Sequence, residues 1–561
     1  MVNKSNSRNG LGIYTFLLAV AGLSQAATTT VGPGACYDFS TIQAGIDVAV
    51  DGDMVLVAPG EYIITEPITF RGKAITVKSE TGADETTIRM GTPTDINRGS
   101  VVVFENNETD SSVLDGFTIM GGTGCRIWAA KGGEAPRFWW QGGGICLDNA
   151  SSGTMRDCAI VQNRADAGGG VSVFSRSSAI LTNCIINENS ATDPEGAGAG
   201  VLCWHTSSVT MTECIIRGNS SMGVGGGVCC AFDASMAMTN CIITGNSARD
   251  PEGAGGGVIC WDSSSVTMAE CIIRDNSTMG PGGGVCCGSL DSSMTSSVTM
   301  TNCEIMGNTA AKFGGGIYGR NALATLTNCV IAQNTGGWGG GGVGTSGGSF
   351  YGVSFIQITN CTITGNSGAV DAGGGGVVSY GRGSIGAGSI TITNSIVCRN
   401  TSAKGPEISL MGGEKISVSY SNVAGGQTRV NVEGGSTLDW GPGNIDADPY
   451  FADPTSDEYY LKSQASRWDS DIQTWVQDDI TSPCIDAGDP MSPIGWEPFP
   501  NGGFVNMGAY GGTPNASKSY FGEPTCETIV AGDINGDGQV NRADLEIMAL
   551  HWTDDEPLSL P

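Results

Sequence analysis

The sequence predicts an all-β chain: a right-handed parallel β-helix solenoid with an N-terminal capping helix and a small C-terminal α-helical module. Three observations carry this. Residues 154–400 repeat one phrase: T-x-T-N-C-x-I-x-x-N, a variable gap, G-G-G-V, a short apolar run, then Ser-rich residues. Its cysteine falls at Cys158, Cys184, Cys214, Cys241, Cys271, Cys303, Cys329 and Cys361, 26 to 32 residues apart, and Ser395 takes its place in the next copy. A near-regular period of this size means stacked units. Second, stretches such as Val209-Thr210-Met211-Thr212 and Ile272-Ile273 are β-branched or alternating and are broken by Gly and Asn, as strands are. Third, no window of the repeat keeps a helical apolar stripe, and the Gly triplets would disrupt one.

A coil of this length holds three short strands and three turns, with like residues stacking about 4.8 Å apart. Cys, Ile and Val then form inward ladders. The Asn before each Cys (Asn183, Asn240, Asn302, Asn328, Asn360) is expected at a turn, its amide bonding the same amide one coil away. Most of the 20 cysteines lie in two rows. One is the T-N-C row. The other is Cys203, Cys230, Cys260 and Cys287, with Cys146 one place early. In-register neighbours would sit about 4.8 Å apart, whereas a disulfide prefers Cβ atoms about 3.8 Å apart, so the rows read as small buried hydrophobes.

Composition narrows the function. A net charge of −29 argues against nucleic acid and anionic membrane as partners and suits calcium and solubility. Gly is 88 of 561 residues but has no three-residue period, which excludes collagen. Only two histidines occur, His205 and His551, so Ser-His-Asp triads and histidine metal sites are nearly excluded. Residues 1–26 read as a secretory signal: Lys4 and Arg8, an apolar run over 11–23, then Ser24-Gln25-Ala26. No later stretch approaches about 18 consecutive apolar residues, so no transmembrane helix is expected.

Residues 39–62 begin with Ser40 and Gln43 as a capping box, followed by an Ile42, Ile46 and Ala49 stripe. A turn at Asp51-Gly52-Asp53, a buried strand from Met54 to Ala58 and a turn at Pro59-Gly60 complete the segment. This segment resembles the entry cap of pectin-lyase-like right-handed β-helix proteins. Gly72-Lys73-Ala74-Ile75-Thr76-Val77 and Leu114-Asp115-Gly116-Phe117-Thr118-Ile119 are similar to their first coils. The resemblance covers roughly residues 36–520 and implies an extracellular polysaccharide as partner. It brings no Arg- or His-containing catalytic motif of pectate lyases, polygalacturonases or pectin esterases.

Residues 125–141 interrupt the period with Trp128, Phe138, Trp139, Trp140, Arg126, Lys131 and Arg137. Such an insertion either binds an acidic sugar chain or folds onto the helix flank. After Met411 the repeat fades. N-I-D-A-D-P-Y-F, S-P-C-I-D-A-G-D and V-N-M-G-A-Y-G-G resemble the closing segment of secreted bacterial β-helices, with Asp as turn former. Residues 533–544 read D-I-N-G-D-G-Q-V-N-R-A-D. Asp533, Asn535, Asp537, Asn541 and Asp544, with the Gln539 carbonyl, have the spacing of a calcium loop, and Leu545, Met548, Ala549 and Trp552 line the helix that follows. Loop and helix resemble one half of a type I dockerin, which implies a cohesin-like partner; a full dockerin has two halves and this chain carries one.

The expected division is therefore signal peptide 1–26, β-helix with its cap 27–411, final coils and closing segment 412–512, linker 513–528, calcium module 529–553 and tail 554–561. Chemistry is expected just after G-G-G-V, where Phe174, Trp204 and Trp261 share one coil position. His205 and Asp262 adjoin it, and Asp148 and Asp233 lie within one residue. Rings stack on sugars and carboxylates protonate or attack glycosidic carbons, so Asp148, His205, Asp233 and Asp262 are the catalytic candidates. Phe174, Trp204, Trp261, Trp139 and Trp140 are the sugar-binding ones, with Trp204 and Trp261 expected partly exposed. The reading is an exported bacterial protein that binds or degrades extracellular polysaccharide as a glycoside hydrolase or lyase; the alternative is a non-catalytic surface or adhesin-like protein.

Overall fold

The structure, a computed structural model, describes residues 26–129, 136–251, 254–289, 295–347, 354–369, 373–381, 388–522, 540–542 and 544–545. They fall into two compact units: residues 1–250 with 257–266, and residues 251–256 with 267–561. The fold is a right-handed parallel β-helix solenoid. The expected signal segment, residues 1–26, lies outside the described residues except Ala26. No helix among the described residues is long and apolar enough to cross a membrane.

In the first unit each copy of the phrase makes four strands, not the expected three, that pair with the next copy; the fourth is a two-residue strand such as Ser190–Ala191 or Ser220–Ser221. The T-x-T strands Ser178–Thr182, Ser208–Thr212 and Ser235–Thr239 stack in parallel, Ser178 on Ser208 on Ser235. The C-x-I strands stack Ile185 on Ile215 on Ile242. The strands after G-G-G-V stack Val171 on Val201 on Val228 on Val258. Alternation sends Val209 and Met211 inward and Thr210 outward. The cysteine row runs inward as expected. Ile185, Ile215 and Ile242 each donate a backbone N–H to the cysteine one coil earlier (Cys158, Cys184, Cys214) at 2.8, 2.9 and 2.9 Å, a single rung apart. The described cysteines are unbridged. G-G-G-V is a matter of space: a Cβ on Gly170 would lie 2.5 Å from the Gly200 carbonyl oxygen.

The asparagine ladder requires a correction. Asn183 does sit at a left-handed turn (φ +51°), but its amide reaches only the exposed Asp157. The buried ladder belongs to the other asparagine of the phrase, the last residue of C-x-I-x-x-N: Asn163, Asn189, Asn219 and Asn246. The Nδ2 of Asn163, Asn189 and Asn219 each donates to the next coil's Oδ1 at 2.9–3.1 Å and to a carbonyl of the previous coil, and Asn246 Nδ2 donates to the Ile216 carbonyl.

The short helix Ile42–Val48 packs Ile42 and Ile46 against the first strands. Its N-cap is Thr41, not Ser40. Thr41 Oγ1 accepts the Ala44 N–H, and Gln43 is drawn instead to Asp47 and the Thr69 backbone.

The second unit repeats the coil through Ser296–Thr301, Ala322–Thr327, Phe355–Thr359, Ser389–Thr393, Lys415–Ser419 and Thr437–Trp440. Its asparagine ladder ends where Asn400 donates to the buried Glu407 at 2.6 Å. The residues after the coils fold back along the flank. Phe451, Tyr459, Leu461, Cys484, Met507 and Ala509 cluster with Met306, Val330, Ala332, Ile396 and Cys398. Asn328 and Asn360, at turns, donate to the carbonyls of Ala509 and Gly511. Two Asp residues of the closing motifs are turn formers, Asp448 accepting from Tyr450 N and Asp489 from Met491 N, while Asp486 accepts from the distant Gly502 N.

Candidate functional site

In the first unit, one corner of each coil is a two-residue turn with both φ positive. Successive coils place Asn149-Ala150, Ser175-Arg176, His205-Thr206, Phe232-Asp233 and Asp262-Ser263 there. In the coils of His205, Phe232 and Asp262 the residue before the turn ends its strand, and these residues stack Trp204 on Ala231 on Trp261. Of the expected strip, Asp148, Phe174, His205 and Asp233 line one cleft with Trp128, Arg176 and Phe232, whereas Trp204, Trp261 and Asp262 do not line it. His205 lies against Phe232 (centroids 5.2 Å, 15°) and meets Phe174 edge-on at 5.0 Å.

The insertion forms an antiparallel hairpin, Gly124–Ala129 with Arg137–Gln141, pairing Arg126 with Trp140 and Trp128 with Phe138. Strand parity splits it into two faces. Ile127, Ala129 and Trp139 are buried; Trp128 and Phe138 are exposed, at 58% and 44%. The Arg126 guanidinium lies 3.5 Å from the Phe138 ring centroid, and that of Arg137 lies 3.7 Å from Trp139. Arg137 also pairs with Asp193 and Glu195 at 2.9 and 3.0 Å. Of the two readings of this insertion, the flank-folding one describes Trp139, while Trp128 forms a wall of the cleft.

This hairpin corrects one expectation. Trp204 is 2% exposed, because Trp139 covers it edge-on at 6.1 Å. Phe174 and Trp139 are also buried, whereas Trp261 and Trp140 are half-buried. The indole N–H groups of Trp139 and Trp204 and the Gln141 amide nitrogen are buried without an acceptor. The exposed ring of the cleft is Trp128, which was not singled out as a binding residue. Parity was the available signal, since Trp139 and Trp140 cannot both face one side of a strand and Trp128 pairs with the outward Phe138.

Asp148 is half-buried and accepts the Asn149 N–H at 2.7 Å. Asp233 is exposed, and its N–H donates to the Asp262 carbonyl at 3.1 Å, so these two occupy neighbouring rungs. Asp148 and Asp233 are three coils apart, about 14 Å at roughly 4.8 Å per coil. That exceeds the roughly 5–9.5 Å between the carboxyls of glycosidases. Among the described residues no group of three or more His, Cys, Asp or Glu could hold a metal ion. Of the calcium-loop residues, Asp533, Asn535, Asp537 and Gln539 lie outside the described residues. Asn541 and Asp544 lie within them, and the Asp544 carboxylate accepts the Asn541 N–H at 2.7 Å.

A family described as right handed beta helix region matches residues 91–225 and 199–384, and one described as disaggregatase related matches 389–488. No curated protein matches. Solved structures with a similar fold include the pectate lyase Pel9A, at 14% identity over 87% of this chain and 97% of that chain (TM-score 0.39). The A-module of the Azotobacter vinelandii mannuronan C-5 epimerase AlgE6 matches at 14% identity over 73% and 94% of the two chains (TM-score 0.33). PfbA, a surface adhesin of Streptococcus pneumoniae, matches at 10% identity over 78% and 94% (TM-score 0.24).

Proposed function

Because the chain belongs to the right handed beta helix region family, we propose that it is an exported protein that binds an extracellular polysaccharide in the cleft beside the 124–141 hairpin. The observation that carries this reading is the lining of that cleft. Trp128 offers an exposed ring face, and Phe174, His205 and Phe232 form an aromatic floor. Asp148, Arg176 and Asp233 alternate acceptor and donor along the turns. Sugar rings present apolar C–H faces to aromatics and hydroxyls that both donate and accept, so such a lining suits them. The net charge of −29 disfavours polyanions at long range, which points to a neutral or weakly charged glycan.

The test is retention of purified protein on a panel of polysaccharides, wild type against Trp128→Ala. Loss of a stacking ring worth about 1.4 kcal/mol weakens binding roughly tenfold. Retention on none of the panel, or an unchanged Trp128→Ala variant, would overturn the reading. A second reading, hydrolysis, is favoured by one observation: Asp233 and Asp262 lie on neighbouring rungs. Release of reducing ends by wild type and its loss in Asp233→Asn would establish it. We further propose that residues 529–553 bind calcium; the spacing of Asp533, Asn535, Asp537, Gln539, Asn541 and Asp544 supports this.

A further inference from the structure

The base of the hairpin holds a cysteine pair unlike the ladder cysteines. Cys125 pairs across the hairpin with Gln141 and on its other side with Arg98. Cys146 belongs to the coil beneath, in the outward row that continues with Ser172 and Leu202. Cys125 shares the hairpin face of its partner Gln141. Gln141 Oε1 accepts the Ser172 hydroxyl at 2.9 Å, and Ser172 stands in register beside Cys146, so the two thiols face one another. The backbone between them is tight: a Cβ on Gly142 would lie 2.8 Å from Cβ of Cys146. Ladder cysteines such as Cys184 and Cys214 stand one rung apart just before parallel strands that pair Ile185 with Ile215, which holds their Cβ atoms about 4.8 Å apart, too far for a relaxed disulfide. Cys125 and Cys146 sit in different sheets, so no shared register keeps them apart. The hairpin's seat also leaves the Trp139 and Trp204 indole N–H groups and the Gln141 amide nitrogen without acceptors, which weakens its non-covalent hold.

We propose that Cys125 and Cys146 are a disulfide-forming pair, oxidised by a thiol–disulfide reagent, that fastens the base of the hairpin to the coil. In the first step the Cys125 thiolate attacks a sulfur of the oxidant RSSR, forming Cys125–S–SR and expelling RS⁻. Cys146 then gives up its proton and attacks the Cys125 sulfur, expelling the second RS⁻. Two electrons pass from the protein to RSSR, and the two thiol protons leave as two RSH. The order follows from the surroundings. Cys125 keeps 8% exposure against 1% for Cys146. The hydrogen bond from Cys146, aided by Ser100 and the Arg98 charge, pulls the Cys125 pKa down. The bond to Cys125 and burial push that of Cys146 up.

The experiment equilibrates the full-length protein in glutathione buffers of graded oxidation, quenches with acid, unfolds it in iodoacetamide and maps the peptides by mass spectrometry. The Cys125–Cys146 crosslink should rise with oxidation and exceed any other cysteine pair at least tenfold. Cys125→Ser and Cys146→Ser should each abolish it, and Cys146→Ser should leave Cys125 as a glutathione adduct. Alkylation of Cys125 and Cys146 as complete as that of Cys184 and Cys214 across the whole range would overturn the proposal. So would a wild-type Cys125 adduct that never resolves onto Cys146. The wild-type map decides even if a serine variant does not fold, because the crosslink needs no substitution.

Discussion

Asn219 is the sharpest test of how the coils are held together. Its Nδ2 donates to the Ile186 carbonyl and to Asn246 Oδ1, both at 2.9 Å. Its Oδ1 accepts the Asn189 backbone N–H at 2.9 Å and the Asn189 amide at 3.1 Å. Asn219→Ala would strand the Asn189 N–H and one Asn189 amide hydrogen, since Asn246 Oδ1 keeps the residue-219 N–H and the Ile186 carbonyl stays in its parallel strand ladder. At about 1–3 kcal/mol for each buried orphan the simple total is about 2–6 kcal/mol. A water in the vacated space recovers part, so about 3 kcal/mol is expected. The comparator is Asn183→Gly. Asn183 is exposed at φ +51° and pairs only with Asp157, and glycine adopts that conformation without strain, so the change should stay within about 0.5 kcal/mol. Stacked coils need not unfold in one step, so urea unfolding should be read at its first transition, together with amide exchange at Asn189. A cost below about 1 kcal/mol for Asn219→Ala, or an equal cost for Asn183→Gly, would refute the ladder argument.

Three further outcomes are expected. Trp128→Ala should lower polysaccharide affinity roughly tenfold while leaving the unfolding midpoint in place, as measured by affinity electrophoresis and circular dichroism. Burial lifts the Glu407 carboxyl from 4.5 to about 7, against the hydrogen bonds from Asn400. A carboxyl raised on folding contributes stability below its unfolded value and loses it as pH rises through the folded one. Glu407→Gln should therefore gain on wild type between pH 5 and 8, by roughly 3 kcal/mol, and parallel urea midpoints across that window would contradict this. Calorimetric titration of the full chain with Ca²⁺ should show one site that Asp533→Ala abolishes; no response up to about 10 mM, beyond even weak extracellular sites, would sink the calcium reading.

The sequence misplaced features where two residues share one period. Asn183 and Asn189 both recur once per coil, so spacing alone could not say which one lines the interior. The answer lies in the turn: the left-handed residue before the cysteine points its amide to solvent, and the one six positions later is buried. The covering of the second unit's coils by the residues after them has a trace in the sequence. The third residue of the C-x-I strand is polar in Asn187, Arg217, Thr244 and Arg274, then apolar in Met306, Ala332 and Cys398 with Thr364 among them. That shift in polarity goes with a covered face.

By itself the sequence determined the parallel coil, its cysteine and isoleucine ladders and the shared coil position after G-G-G-V that carries the candidate residues. These follow from period and alternation, which act between neighbours in the chain or between equivalent positions one repeat apart. Only the tertiary structure decided that Trp204 is covered and Trp128 exposed, and that Asp233 adjoins Asp262 while Asp148 lies three rungs away. Whether an outward residue meets water depends on which distant segment settles over it. Here that segment is a hairpin whose strand parity, not its composition, chooses the ring that faces the cleft.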